Sequence, residues 1–425
     1  MSNSLFNYLD YLNDGTDINS EFLEDIKYEI DSRFYQYGSH FKANTENKIF
    51  FFMQRISFFR KLLKGLLKKV FHNHKTSKNI AVSSAYFEIQ NELVNIGYNC
   101  ISVPWLDSND NPLLFYKLQN FSNQIKRCNF SEIDRLFTNY QNIRIELKNY
   151  YSKSEIKLLI LPQDMGVFER VSIRIFKELK KKTYIFSHGL PARYNSIDDN
   201  KTDYLVVWGN KIRDNYIKAG FNKNKILVSG HPLFKKYNIT DIKLKSSFDK
   251  ILVLSKSLNG TPYSTGVRIS DRTNLLIYLY QIKEELLKFG VKSVKFRPHP
   301  SENINWYYNF IDSDFFIIDS NKSVTDSFKE STLVIGPTST MFVNSILNDV
   351  NYLVYEPMNS ENDLNNFPLV PPFDSSDERL MISKSPLDLY ENLKNIPTVE
   401  TSIILDYVKP KFDISFLKKI VKHLH

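Results

Sequence analysis

Three short polar clusters stand out in this 425-residue chain, each directly after an apolar run of strand type. The first is Ser187-His188-Gly189-Leu190-Pro191, which follows Thr183–Phe186. Gly and Pro turn the backbone there and leave His188 at the lip of a sheet. An imidazole in that place takes a proton from a hydroxyl near neutral pH, orients a phosphate, or simply satisfies loop carbonyls. The second is Arg297-Pro298-His299-Pro300, after Ser293–Phe296. Two prolines hold the backbone around one histidine and so fix where its ring points; Arg297 adds a permanent cation suited to an anionic leaving group. The third is Gly336-Pro337-Thr338-Ser339-Thr340, between a strand at Thr332–Ile335 and a helix entered at Met341. A Ser or Thr there caps the helix start, and the same hydroxyls and N–H groups form an anion site.

Smaller features surround these. Ser255 and Lys256 follow the apolar run Lys250–Leu254, where a lysine reaches a phosphate, and Glu356 follows Asn351–Tyr355, where a carboxylate accepts from ribose hydroxyls. Gln163-Asp164-Met165-Gly166 and Glu169 follow Glu155–Leu161 and offer a carboxylate. Ser229-Gly230-His231-Pro232 reads as an architectural turn. Glycine-rich nucleotide fingerprints, the phosphate-binding loop, the zinc-protease helix and the nucleophile elbow have no match in the sequence. Cys100 and Cys128 are the only cysteines, too few for a disulfide framework and without metal-ligand spacing, so no metal is expected.

These clusters need sheets to position them. From Asn79 the chain alternates strand and helix: strands at Asn79–Ser84, Cys100–Val103, Glu155–Leu161, Thr183–Ser187, Tyr204–Trp208 and Lys225–Val228, with helices at 85–96 and 170–181. A lysine-rich connector spans Tyr237–Lys250. A second series follows, with strands at Lys250–Leu254, Ser293–Arg297, Phe315–Ile318, Thr332–Gly336 and Asn351–Tyr355, and helices at 272–289 and 340–348. Apolar strands alternating with helices predict α/β architecture, two doubly wound parallel sheets with ligands at the strand C-terminal ends. The expected division is a helical extension over 1–78, domains over 79–240 and 250–400, and a C-terminal helix within 401–425, starting at Asp413.

The first 78 residues differ from the rest. Lys48 to Lys78 contains nine Lys or Arg and no acidic residue, as many charges as the net +9 of the whole chain. Phe52, Ile56, Phe59, Leu63, Leu66 and Val70 recur at alternating spacings of four and three, with Arg60, Lys61, Lys64 and Lys68 opposite. Such a helix, with Arg55, lies on an anionic membrane or docks on the protein's own core with its charges solvated. The basic excess calls for an anionic partner. Its concentration in one segment argues against a nucleic-acid binder, whose basic residues interleave with aromatics throughout. No secretory signal and no apolar run of spanning length are present, so the expected location is cytoplasmic, peripheral at most on the inner membrane face.

The ordered set of landmarks resembles a family. His188-Gly189 after a strand, Trp208-Gly209 with Gly220, Ser229-Gly230-His231-Pro232, a fresh strand ending in Ser255-Lys256, Arg297-Pro298-His299-Pro300, and Gly336-Pro337-Thr338-Ser339-Thr340 entering a helix are similar to bacterial surface-polysaccharide glycosyltransferases of the GT-B fold. Capsule polysialyltransferases and other users of CMP-activated nonulosonic acids are the nearest, and CDP-glycerol glycerophosphotransferases share the HG and RPHP landmarks. The resemblance covers about residues 79–400. It implies two Rossmann-like domains facing a cleft, acceptor side first and donor side second, and inverting transfer without metal or resident cofactor. The partners it implies are a nucleotide-sugar donor, most simply a CMP sugar, and a glycan or lipid-linked glycan acceptor. Carried onto this sequence, His299, with Pro300 beside it, contacts the donor phosphate together with Ser339 and Thr340; Arg297 adds charge and Glu356 sits near the ribose. The family's base is often a carboxylate in an acidic-acidic-Gly motif. Gln163-Asp164-Met165-Gly166 departs from that pattern, which leaves His188 first and Asp164 second as base. A CDP-glycerol or CDP-ribitol phosphotransferase is the alternative enzyme, and a basic membrane- or nucleic-acid-binding protein the remote one.

Overall fold

Runs of three to five apolar residues, each ended by a polar turn, form parallel strands in two separate sheets. The computed structural model describes residues 21–26, 29, 60, 63, 79–84, 87–108, 110–127, 132–153, 155–194, 201–239, 241–255, 272–300, 304–357, 368–396 and 398–422. The first sheet contains β1 (Asn79–Ser83), β2 (Asn99–Ser102), β3 (Leu158–Leu161), β4 (Lys182–Phe186), β5 (Tyr204–Val207) and β6 (Ile226–Val228) in the order β2-β1-β3-β4-β5-β6. The second contains β7 (Ile251–Leu254), β8 (Val294–Arg297), β9 (Phe316–Ile318), β10 (Leu333–Gly336), β11 (Asn351–Tyr355) and β12 (Ile382–Ser383) in the order β12-β11-β10-β7-β8-β9. Every pairing is parallel. Numbered from its own first strand, the second sheet runs 3-2-1-4-5-6, the winding of dinucleotide-binding domains. Its order reverses between β7 and β10; the first sheet reverses between β1 and β3.

Helices cover both faces of each sheet, which is why β3 (LLIL), β7 (ILVL) and β11 (NYLVY) are buried at every position. The first half supplies α1 (Phe87–Asn95), α2 (Pro112–Arg127), α3 (Ile133–Tyr151), α4 (Val167–Glu178) and α5 (Asn210–Lys218). The second supplies α6 (Arg272–Leu287), α7 (Ile304–Tyr307), α8 (Val324–Lys329), α9 (Met341–Leu347) and α10 (Pro386–Asn395), followed by α11 (Ser402–Tyr407) and α12 (Phe416–Lys422). The α2–α3 pair lies where the strand–helix reading had no element. On α3, Ile133, Leu136, Tyr140, Ile143, Leu147, Tyr150 and Tyr151 are buried at helical spacing. The expected helix over 170–181 begins three residues earlier, at Val167, and ends at Glu178, where the chain turns through Lys180 at φ 56°.

Residues 21–26 and the segment around 409–417 both pack with the first domain, across the expected division. Residues 21–26 are helical, and Phe22, Leu23 and Ile26 belong to the same buried cluster as α2, α3 and α4. Phe22 packs its ring 5.1 Å from that of Tyr140. Buried Asp25 accepts from the Tyr140 hydroxyl at 2.8 Å and from Arg174 Nε at 3.2 Å. Burial still raises its carboxyl above the usual range, against the pull of Arg174 and Tyr140. Part of segment 1–78 is therefore core of the first domain. Of the basic stretch, the described residues are Arg60 and Leu63, both helical and exposed.

At the other end the expected single helix from Asp413 starts at Phe416, and α11 precedes it. The segment returns from the second domain to the first: Lys409 N donates to Trp208 O at 2.8 Å, Asp413 N to Ser229 O at 2.7 Å, and Tyr98 Oη to Leu417 O at 3.1 Å. Gly230 makes this approach possible. Its φ of +78° suits glycine, and a Cβ there would lie 2.8 Å from Lys411 O. The neighbouring His231 is architectural: its ring stacks 4.1 Å from Phe234, its Nδ1 accepts from Leu233 N at 3.2 Å, and burial pushes it down to about 3.

Candidate functional site at the strand ends

Parallel strands end on one edge, so the loops after β7, β8, β10 and β11, four consecutive neighbours in the second sheet, come together. The β7/β10 reversal falls between Ser255 and Gly336, the position at which open α/β sheets have their ligand crevice. Ser255, nearly buried, accepts at Oγ from His299 N at 2.9 Å, so the loop after β7 holds the histidine between its two prolines. The His299 ring is half-buried and burial lowers its pKa, which favours neutral imidazole at pH 7. Pro300 is exposed.

Opposite, the loop 336–340 is fixed from below. Tyr352 Oη donates to Pro337 O at 2.7 Å, and Glu356 Oε2 accepts from Thr338 N at 2.6 Å. Ser339 Oγ accepts from Met341 N at 3.2 Å and so performs the capping at the start of α9. With α9 only seven residues long, few aligned peptide dipoles stand behind this loop. Thr340 Oγ1 accepts instead from Leu190 N of the first domain at 2.9 Å.

Two expected donor contacts take other roles. Glu356 is 0% exposed beneath the loop. It acts on the backbone of Thr338 and is not placed to meet a ribose, because the strand buries its first outgoing residue. Arg297 turns away from the crevice: its NH1 donates to Asp319 Oδ2 at 2.7 Å, Asn321 O at 2.9 Å and Ser327 Oγ at 2.9 Å. Strand alternation sends the side chain of residue 297 to this buried carboxylate, and that pairing neutralises its charge. Burial pushes Asp319 up, but Ser327, Arg297 and the Asn321 N–H outweigh it and hold the carboxyl below its usual range. Lys256 lies outside the described residues, as do Arg55, Lys61, Lys64 and Lys68.

The first sheet presents its own reversal point. Asp164 follows β3, and His188 follows β4 beside it; the His188 ring is exposed with Nδ1 3.1 Å from Pro162 O. Asp164 Oδ2 lies 3.9 Å from Lys201 Nζ. Behind them stands a residue that sequence reasoning missed. Glu29, distant in sequence, accepts at Oε1 from Val167 N at 2.6 Å, at the start of α4. Burial pushes its carboxyl up to about 8 despite that bond. Glu169 on the same turn rises to about 7 through burial, with Asp164 adding repulsion. Glu169 was legible as a wall carboxylate, but no local pattern ties Glu29 to α4. Among the described residues, no group of three or more His, Cys, Asp or Glu is arranged to hold a metal ion. Cys100 is a free thiol whose pKa burial raises to about 12. A hollow lined by Asn120, Asn123, Gln124, Arg135 and Asn139 shares no residue with the strand-end loops.

No protein-family model matches the sequence, and no curated protein matches it. Solved structures do. The chain is similar to the UDP-GlcNAc 2-epimerase of Methanocaldococcus jannaschii, solved in complex with UDP-GlcNAc and UDP, at 11% identity and TM-score 0.50, over 81% of this chain and 98% of that one. The fold is GT-B. The UDP-GlcNAc 2-epimerase of Neisseria meningitidis, bound to UDP-GlcNAc, aligns at 10% identity and TM-score 0.48 over 81% and 98% of the two chains. The wall teichoic acid polymerase TagF aligns at 13% identity and TM-score 0.43 over 90% and 97%. In the GT-B frame the first domain carries His188 and Asp164, and the second carries His299, Ser339 and Thr340. The Leu190–Thr340 hydrogen bond joins the two edges.

Proposed function

We propose that the chain is a glycosyltransferase moving a sugar from a nucleotide-activated donor to a hydroxyl acceptor, with inversion and without a metal ion. The donor in this reading is a CMP-activated nonulosonic acid and the acceptor a surface glycan. One observation carries the proposal: the loops of Ser255, His299 and Ser339 meet at the β7/β10 reversal, and the His188 loop of the first domain is seated against them.

The chemistry follows from the leaving group. His188, or Asp164 behind it, takes the proton of the acceptor hydroxyl; that oxygen attacks the anomeric carbon, and the bond from this carbon to the phosphate oxygen breaks. Negative charge grows on the departing nucleotide. The His299 imidazole and the Ser339 hydroxyl stabilise it more in the transition state than in the bound donor, which is what lowers the barrier. Closure between the domains excludes water that would hydrolyse the donor. Thermal stability measured against CMP, CDP, UMP and UDP, followed by turnover of a panel of activated donors, tests the reading. Stabilisation by CMP and release of CMP from a nonulosonic acid donor are expected. Absence of stabilisation by any nucleotide ends it.

One observation favours a second reading, UDP-sugar epimerisation: Glu29, Glu169 and Asp164 gather acidic groups on the first-domain edge, as proton transfer to and from a sugar carbon requires. Incubation with UDP-GlcNAc and no acceptor separates the two, since only an epimerase changes the sugar. CDP-glycerol in the donor panel reports polyol phosphate transfer in the same assay.

The proposal extends to the membrane. Leu63, on the apolar stripe expected for the 48–78 segment, is 59% exposed, and Arg60 is exposed as well. Exposure of Leu63 fits docking of this segment on an anionic lipid surface better than docking on the protein's own core. No described helix is long and apolar enough to cross a membrane.

A further inference from the structure

We infer that Thr340 and Gly189 form an interdomain latch that seats His188 against the donor-side edge, so that Thr340 is a positioning residue and not a phosphate ligand. The inference deepens the transfer reading and rests on it for its kinetic consequences alone.

The loop 187–194 is anchored in its own domain at its base: Trp208 Nε1 donates to Ser187 O at 2.7 Å, and the Ser187 hydroxyl donates to Gly189 O at 2.8 Å, closing a tight turn around His188. From there it is held by the other domain in two places. Leu190 N donates to Thr340 Oγ1 at 2.9 Å. Tyr194 Oη donates to Pro371 O at 3.1 Å while accepting from Asn215 Nδ2 at 3.0 Å. Leu190 and Tyr194 also pack against a buried cluster that includes Trp208 and Tyr216 of the first domain and Phe342 and Tyr352 of the second.

Gly189 sets the gap at the contact. A Cβ built there would lie 2.8 Å from Thr340 Oγ1, so any other residue obliges the Thr340 side chain or the two loops to move and disturbs the contact. The two adjacent hydroxyls of the 336–340 loop divide their work: that of Ser339 accepts from its own helix start, that of Thr340 from the facing domain. His188 lies between the anchored Ser187 and the latched Gly189, so the latch fixes how far its ring stands from His299 and Ser339. A single neutral hydrogen bond of this kind shifts an open–closed equilibrium by about fivefold.

The test uses the full chain with Thr340→Val, Thr340→Ser, Gly189→Ala and the Val/Ala double variant. Radius of gyration by small-angle scattering, CMP affinity by calorimetry, and kcat and KM for a CMP-activated donor are measured on each. The latch predicts that Thr340→Val and Gly189→Ala expand the molecule and lower kcat about fivefold, with CMP affinity within twofold of wild type. It also predicts that Thr340→Ser restores both values and that the double variant is no worse than the poorer single one. An unchanged radius in Thr340→Val and Gly189→Ala overturns it. So does a tenfold loss of CMP affinity confined to Thr340→Val, which would make the hydroxyl a ligand. Should the valine variant misfold, Gly189→Ala alone decides. If no donor turns over, the transfer reading fails while the scattering result still judges the latch.

Discussion

The Ser255 hydroxyl accepts the backbone N–H of His299 at 2.9 Å, so the neighbouring ends of β7 and β8 share one hydrogen bond beside the place where the second sheet reverses its order. Ser255→Ala leaves that N–H unsatisfied in a half-buried turn, and a loss of about 1 kcal/mol is expected in urea unfolding. Transfer by this variant should fall with the histidine's placement. His299→Ala should lower transfer by at least about 100-fold with an unchanged circular dichroism spectrum. Full activity in His299→Ala contradicts the donor assignment.

Burial lowers the His299 pKa, which favours a neutral ring at pH 7. A bound phosphate favours the protonated ring, so binding takes up a proton. CMP affinity should therefore rise as pH falls below the ordinary histidine value of 6.5. Calorimetry from pH 8 to 5 checks this, and His299→Gln should flatten the profile. An equal slope in both proteins would assign the proton to another group.

Asp319 holds Arg297 in place, and the Asp319 side chain is 0% exposed. Asp319→Ala removes the counter-charge from a largely buried guanidinium, and about 3 kcal/mol of stability should go with it. Asp319→Asn should leave CMP affinity unchanged, because the arginine faces away from the crevice. Tighter binding by that variant would show that a released Arg297 reaches the nucleotide.

Burial pushes the carboxyls of Glu29 and Glu169 up to about 8 and about 7, above their ordinary value of 4.5. Between 4.5 and those values the folded chain keeps protons that the unfolded chain has lost. The stability they contribute is full below 4.5 and is lost as pH rises through 7 to 8. The melting temperature should fall from pH 6 to 9, and Glu29→Gln should fall less steeply. A wild-type slope in Glu29→Gln would remove this carboxyl from the linkage.

Arg55, Arg60, Lys61, Lys64 and Lys68, changed together to Gln, should weaken co-sedimentation with anionic vesicles by at least about 100-fold, at roughly 1 kcal/mol per charge. Vesicles of zwitterionic lipid should bind neither protein. Substitution is the right probe because deleting residues 1–78 would also remove Phe22 and Ile26 from the first-domain core. Undiminished binding by the substituted chain would rule out this segment as the anchor.

The strands were the most legible part. β11 spans the expected Asn351–Tyr355, and the other expected strands shift by one to three residues at their ends, because a short apolar run between polar turns states its own length; the two-residue β12 was not read. Helices α2, α3, α5, α7, α8, α10 and α11 were not read; in α2, α3 and α10 the apolar positions are diluted by polar residues such as Asn and Lys. In the site, residues after strands could be located, but not the direction of their side chains. Arg297 and Glu356 were named for their chemistry, yet strand alternation and burial turn them to Asp319 and Thr338. Glu29 had no readable signal, since its partner is set by tertiary packing alone.

The returning C-terminal segment bears on how the molecule is made. Leu417 shares a buried cluster with Tyr98 and Tyr184, so the half translated first lacks part of its own interior until this later segment has left the ribosome. Folding domain by domain during synthesis therefore stops short of completion here. A chain cut short before Lys409 should hold an amino-terminal half that proteases still cut.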